Sequence, residues 1–309
     1  MTAAGPCVSL WTDSKPPGGE VGRAGRGGRM SFFSQHGEFF WLLVRRDLKV
    51  RYAGSTLGGL WNLIHPLMMI AIYMIIFSSI MKSRMDAGSR YGGMSYGVHL
   101  VAGLIPWLLF SDVVMRSMNV LVDNGNFLKK VSFPPIVLFT SLLFNALIIQ
   151  GTAWIVFVGL LALFGHAVPA AALAGGLALL VLLGLCGVGL GLILAGLNVF
   201  FRDTAQVITI FMQLLFWFNP IVYPLQAVTK PEKSAAELEF YEVLGRWLLA
   251  LNPFERFISG SQRLLGLIDP VQHPLTGVDW AILFGFPALC LAAGLLLFRR
   301  MLPDVRDCL

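Results

Sequence analysis

The chain has 309 residues, 56% of them hydrophobic and 13% charged, and its mean hydropathy is +0.73. A soluble domain is about half apolar and about a quarter charged, so this balance excludes an ordinary water-soluble fold and points to lipid as the solvent. The formal net charge of +6 does not point to nucleic acid, because the cations flank apolar runs long enough to cross a bilayer, where the positive-inside bias accounts for them.

Residues 1–29 are rich in Gly, Pro and Arg and contain no apolar stretch that would serve as a signal-peptide core, so a disordered N-terminal tail is expected there. Met30 opens MSFFSQHGEFFWLL and reads as an alternative start. The segment 38–52, EFFWLLVRRDLKVRY, places Trp41, Val44, Leu48 and Tyr52 on one helical stripe with Arg45, Arg46 and Lys49 along its flank. That pattern predicts an amphipathic helix lying in the membrane interface. Hydropathy then predicts spans at about 57–81, 98–122, 136–164, 170–197, 206–224 and 278–298. The fold class is therefore an all-α membrane protein: one transmembrane unit of six helices over 30–300, followed by a short C-terminal tail at 301–309.

With six spans, both termini lie on one side. Counting Lys15, Arg23, Arg26, Arg29, Arg45, Arg46, Lys49, Arg51, Arg116, Lys129, Lys130, Arg202, Arg299, Arg300 and Arg306, that side carries 15 of the 23 basic residues and is expected to be cytoplasmic. The segment 225–277 is too long for a passive connector. FYEVLGRWLLALN and PFERFISGSQRLLGLI read as two short amphipathic helices broken at Asn252-Pro253, either an extracytoplasmic helical hairpin dipping into the outer leaflet or a small folded cap.

No GxxxxGK[ST] loop occurs, so the chain has no phosphate cradle of that kind, and ATP-driven work would need a motor on another polypeptide. His36, His65, His99, His166 and His273 lack metal-ligand spacing, and Cys7, Cys186, Cys290 and Cys308 form no close pair, so no metal site is expected. Asp112 and Arg116 stand four residues apart on one face of the second span. Intramembrane ions are costly, and this pair reads either as self-neutralising or as a proton or substrate relay. Gly187, Gly191 and Ala195 form a small-residue stripe for close helix approach, within the subunit or at a dimer contact. Trp61, Tyr73, Phe77, Phe216, Trp217 and Tyr223 are candidates for lining a sugar-conducting path, since aromatic faces pack on the apolar faces of sugar rings; ordinary packing is the competing reading.

Three stretches in order, RRDLKVRYAGSTLGGLWNLIHPLMMIAIYMIIFSSIM at 45–81, GLIPWLLFSDVVMRSMNVLVDNGNFLKKVSFPP at 103–135 and GLNVFFRDTAQVITIFMQLLFWFNPIVYPLQAV at 196–228, resemble the membrane subunits of ABC-2 type polysaccharide exporters, which carry O-antigen, capsule and teichoic acid chains. The resemblance covers essentially all of 38–300. It implies a homodimer of six-span subunits in the cytoplasmic (inner) membrane of a bacterium, with two separate ABC ATPase subunits that bind the ATP and Mg; this chain itself would bind no cofactor. It also implies that the loop carrying Asn124, Asn126, Lys129, Lys130, Phe133 and Pro134 docks into the ATPase. Pro135 and Ile136 depart from the charged residues usual after Phe-Pro in that family, which leaves the local docking contacts different. The cations Arg45, Arg46, Lys49 and Arg51 at the leaflet surface are candidates for recognising the diphosphate of a polyprenyl-linked glycan.

The alternatives are an ABC-2 exporter of a drug or lipid, a secondary transporter using Asp112, and a membrane-embedded glycosyltransferase. The aromatic-rich spans argue against the first and the lack of a second intramembrane charged constellation against the second. The third lacks an evident acidic or metal-binding loop at a membrane face.

Overall fold

A computed structural model describes residues 40–49, 55–80, 91, 94–125, 134–166, 168–225, 247–268 and 275–308. Regular structure among the described residues is helical throughout. Residues 40–49 form α1. A single 3₁₀ turn, Gly58–Leu60, leads into α2 (Trp61–Ile80), followed by α3 (Ser95–Asp123), α4 (Ile136–Leu163), α5 (Ala170–Phe200), α6 (Thr204–Phe218), α7 (Pro253–Leu264) and α8 (Gly277–Cys308). Five of these, α2, α3, α4, α5 and α8, are long and apolar enough to cross a bilayer. The last runs to Cys308, through the residues read as a C-terminal tail.

The segment expected to be the fifth span, 206–224, is different. Helix α6 has 15 residues, about 22 Å at the α-helical rise, against a hydrocarbon core of about 30 Å. It stops at Phe218 because Pro220 follows: proline cannot donate to the helix ladder and biases the residue before it away from helical backbone. The chain continues through Asn219–Tyr223 as irregular backbone. Its carbonyls are taken up from outside the segment, Pro220 by Gln262 Nε2 at 2.9 Å, Val222 by the Tyr96 hydroxyl and Tyr223 by the His99 ring at 3.3 Å. Non-helical backbone at membrane depth is tolerated only when protein groups satisfy it in this way.

Helix α3 is the central pillar, buried along most of its length. Helix α5 packs on it through glycines. A Cβ at Gly187 would stand 3.0 Å from Val113, and one at Gly191 would stand 2.3 Å from the Ser117 Cβ, so the stripe Gly187, Gly191 and Ala195 is spent within the subunit. The opposite face of α5 meets α8 backbone to backbone: a Cβ at Gly189 would lie 2.4 Å from the Cys290 carbonyl, and one at Gly294 would lie 2.2 Å from the Gly189 oxygen. Small residues are what lets these helices approach that closely. Asn198 closes the α3–α5 contact at its other end, donating to the Met118 carbonyl at 3.2 Å and to Asn119 Oδ1 at 3.1 Å.

Helix α7 begins where the sequence predicts a break. Asn252 is its N-cap, accepting from the Phe254 amide at 3.0 Å, with Pro253 at the first helical position. Its buried face carries Ser261 and Gln262, which reach the Ala102 and Pro220 carbonyls at 2.7 and 2.9 Å. Gly103 leaves the space that Gln262 occupies. Glu255 is fully buried and pairs with Arg256, which also stands 2.8 Å from Asp279 in the first turn of α8. Burial pushes the Glu255 carboxyl above its ordinary range, and the Arg256 guanidinium beside it opposes that.

Candidate functional site

Helix α1 reaches the bundle through an acid. Asp47 Oδ2 accepts from Arg116 Nη2 at 3.0 Å and from Asn145 Nδ2 at 3.4 Å, so one side chain of α1 ties together α3 and α4. Arg116 also stands 3.6 Å from Asp112, and Arg46 3.6 Å from Asp47. The pair expected from i,i+4 spacing is thus part of a larger network, in which the shorter contact is the long-range one. The charged groups all keep some solvent exposure while Asn145 is buried, so the ion pairs position helices more than they stabilise them.

Of the stripe expected on Trp41, Val44, Leu48 and Tyr52, Val44 is buried and Leu48 half-buried. Leu43 and Val44 are the buried pair. Trp41 is 50% exposed and meets Phe144 edge-on at 5.4 Å. Tyr52 lies outside the described residues. The exposed flank of α1 carries Arg45, Arg46 and Lys49, as expected; Arg51 also lies outside the described residues.

Beside this network, α2, α3 and α4 line an open cavity of about 510 Å³. Its walls are Trp61, Pro66, Met69, Ile70 and Tyr73 from α2, Val101, Leu104, Ile105, Leu108 and Met115 from α3, and Ala146, Ile149 and Ala153 from α4; His65, Ser111, Asp112 and Gln150 supply its polar groups. Two of the six predicted conduit aromatics, Trp61 and Tyr73, are therefore brought together. Phe77 stacks on Tyr73 at 5.8 Å and contacts Tyr96. The other three belong to a different region: Phe216 packs on Trp107 at 5.8 Å, Trp217 is 60% exposed, and the Tyr223 hydroxyl donates to the Phe218 carbonyl. Helix α6 also exposes Val207, Ile210, Phe211 and Leu214, which with Trp217 form a continuous apolar face.

At the end of α3, Asn124 is the C-cap. Its side chain folds back to the Val120 carbonyl at 2.9 Å and is spent on ending the helix. Pro134 and Pro135 start α4, with the Pro134 carbonyl accepting from Val137. This is the local role of Pro135: its fixed φ is pre-organised for a helix start. Asn126, Lys129, Lys130 and Phe133 lie outside the described residues. Among the described residues no group of His, Cys, Asp and Glu is placed to hold a metal.

Sequence reasoning missed Asp47 and Asn145. Asp47 is the single acid inside a basic helix, and that isolation was its signal. Asn145 sits in a long uncharged and mostly apolar helix, where a buried amide needs a partner.

Comparison with known proteins gives these features a context. The O-antigen export system permease protein RfbA of Klebsiella pneumoniae is 29% identical over 219 residues, 70% of this chain and 76% of that protein. The protein of the same name from Myxococcus xanthus is 28% identical over 224 residues, 72% and 78% of the two chains. The polysialic acid transport protein KpsM of Escherichia coli is 25% identical over 191 residues, 61% and 70%. The family model of the ABC-2 type transporter matches residues 38–262, which takes in α1 to α6, most of α7, the polar network and the cavity: the chain belongs to the ABC-2 type transporter family.

Proposed function

We propose that the chain is the membrane-spanning permease subunit of an ATP-driven exporter that moves a lipid-linked polysaccharide, such as O-antigen or capsule, across the cytoplasmic membrane of a bacterium. The observation that carries this is the similarity of about 70% of the chain to permeases named for O-antigen export, within a family match extending over 38–262. A separate pair of ABC ATPase subunits would bind ATP and Mg, a reading that family membership and a sequence without a GxxxxGK[ST] loop support. The subunit works as a homodimer, and the apolar face of α6 is a surface that a second copy would cover. Around it, Phe216, Trp217 and Tyr223 would line a glycan path, with the sugar rings stacking on their faces.

In this reading the fifth crossing is completed by α6 together with Asn219–Tyr223, which brings the count to six. Helix α3 supports the count, because Asn198, shortly before α6, meets α3 at Met118 and Asn119, while Val222 and Tyr223 meet it at Tyr96 and His99. That interval on α3 is about 30 Å at the helical rise. The termini and α1 lie on the cytoplasmic side, and α7 with residues 247–251 forms the extracytoplasmic hairpin. The loop between Asn124 and Pro134 engages the motor, and Arg45, Arg46, Lys49 and Arg51 meet the carrier diphosphate. A closing motor acts on the spans only through contacts that differ between its two states, and the Asp47–Arg116 bridge links the carrier-binding helix to the helix that ends in that loop. A secondary transporter using Asp112 is disfavoured, because Asp112 is held by Arg116.

Deletion of the gene followed by localisation of the glycan tests the function. Intracellular accumulation of lipid-linked polymer is the expected result; unchanged surface glycan in a strain without a redundant exporter overturns it.

A further inference from the structure

A half-open groove of about 480 Å³ lies between α5, α7 and α8. Its floor is made by reciprocal contacts of leucine on glycine. Leu264 of α7 covers Gly175 of α5, where a Cβ would stand 2.9 Å from it, and Leu179 of α5 covers Gly260 of α7, where a Cβ would stand 3.3 Å away. The outer wall is Trp280 and Phe284 of α8, both at least half exposed and stacked with ring centroids 6.1 Å apart. Gly189 meets Gly294 and Gly196 meets Met301, so α5 and α8 run in the same direction, and the same offset sets Gly175 level with Trp280 and Leu179 level with Phe284. From Gly175 to Leu182 the α5 wall descends about 10 Å at the helical rise, against about 15 Å for one leaflet's half of the hydrocarbon core. Among the described residues Arg263, in the last turn of α7, is the single charged side chain lining the groove. It interacts with the charges of Glu255 and of Asp279, in the first turn of α8, which puts it at the shallow end beside Trp280.

The walls select the occupant. Trp280, Phe284 and Leu289 are exposed on a helix long and apolar enough to cross a bilayer, so lipid covers this face. A groove opening there offers water almost nothing to bond to and is filled by hydrocarbon. We propose that it seats an acyl chain of a diacyl phospholipid, with the Arg263 guanidinium donating to the lipid's phosphate. Arginine presents five donors in a planar fork, so one guanidinium serves a carboxylate and a phosphate together. Glu255 and Asp279 balance Arg256 and Arg263. The site therefore has no net charge to favour an anionic head over a zwitterionic one, and it recognises the phosphodiester common to both. The seated chain braces α7 on the flank turned away from Ser261 and Gln262, whose side chains bond to Ala102 and Pro220 on the inner side. This site holds whatever the cargo of the transporter is.

The test is photolabelling of the full-length chain, stripped of lipid in dodecyl maltoside, a detergent without phosphate, by a phosphatidylethanolamine carrying a diazirine on one acyl chain. Label is expected at residues 179–182 of α5 and 283–284 of α8, well above that at Leu296 and Leu297, which are exposed on α8 outside the groove. A roughly tenfold excess of unlabelled phosphatidylethanolamine or phosphatidylglycerol is expected to cut the label by about tenfold, by mass action at one site. The same excess of diacylglycerol, with the same chains and no phosphate, is expected to leave it in place. Ala178→Phe, at an exposed position of α5 that lines the groove, should abolish the competed label with the SDS unfolding midpoint unchanged. Arg263→Gln should weaken competition by phosphatidylethanolamine to the level of diacylglycerol. Diacylglycerol competing as well as phosphatidylethanolamine makes the groove a slot for any hydrocarbon and overturns the proposal, as does a label no stronger in the groove than at Leu296 and Leu297. If Arg263→Gln fails to fold, the comparison of the two competitors on the parent protein decides alone.

Discussion

Adding one methyl group at Gly294 tests whether α5 and α8 are held by backbone contact. The new Cβ would stand 2.2 Å from the Gly189 oxygen and 2.9 Å from the Gly189 Cα. An ordinary contact begins at 3.4 Å, so the helices would have to part by about 1.2 Å. No flexible side chain is present to yield, because the atoms met are main chain. A gap of about 0.5–1 Å already forfeits a quarter to a half of each dispersion contact along the seam, and overpacking costs about 1–3 kcal/mol. Gly294→Ala is expected at the upper end of that range. Gly285 on the same helix has open space around it, with nothing within 4 Å of where a Cβ would stand. Gly285→Ala is therefore expected to lie within about 0.5 kcal/mol of the parent, or to gain up to about 1 kcal/mol from helix propensity. Unfolding of the detergent-solubilised protein by increasing SDS, followed by tryptophan fluorescence, compares the two. A Gly294→Ala midpoint equal to or above that of Gly285→Ala refutes the reasoning.

Two further outcomes are expected. Asp47→Arg alone places like charges together at Arg116 and should abolish export and substrate-stimulated ATPase activity, whereas Asp47→Arg combined with Arg116→Asp restores the opposite-sign pair and should recover part of both; a double variant no better than the single one shows that the bridge does not couple the two helices. Gln262→Leu leaves the Pro220 carbonyl without its 2.9 Å donor and is expected to destabilise the protein by about 1–3 kcal/mol, read as a lower SDS midpoint, while Gln206→Leu, at an exposed position of α6, serves as a comparison substitution of the same type.

The residues themselves determined the solvent and most of the helices. Runs such as Ile136–Leu163 and Ala170–Phe200 carry no charge, and in a bilayer a backbone without water must close its hydrogen bonds locally, so composition alone dictates helix there. The break at Asn252-Pro253 was equally legible, because capping and proline are local chemistry. The missing phosphate loop was also a property of the string. What the string left open depended on contacts between distant segments. Asp47 and Arg116 are 69 residues apart, and Asn145 is 98 residues from Asp47, so no periodicity places them in one network. Val44 and Leu48 of the apolar stripe of α1 do turn inward, but the partners that seat the helix could be read only from the network. The irregular end of the fifth span is permitted only because Tyr96, His99 and Gln262 stand where its carbonyls need donors. The aromatic residues divided between a cavity and an exposed face for the same reason: hydropathy reports how deep a side chain lies, and only tertiary packing decides which neighbour it meets.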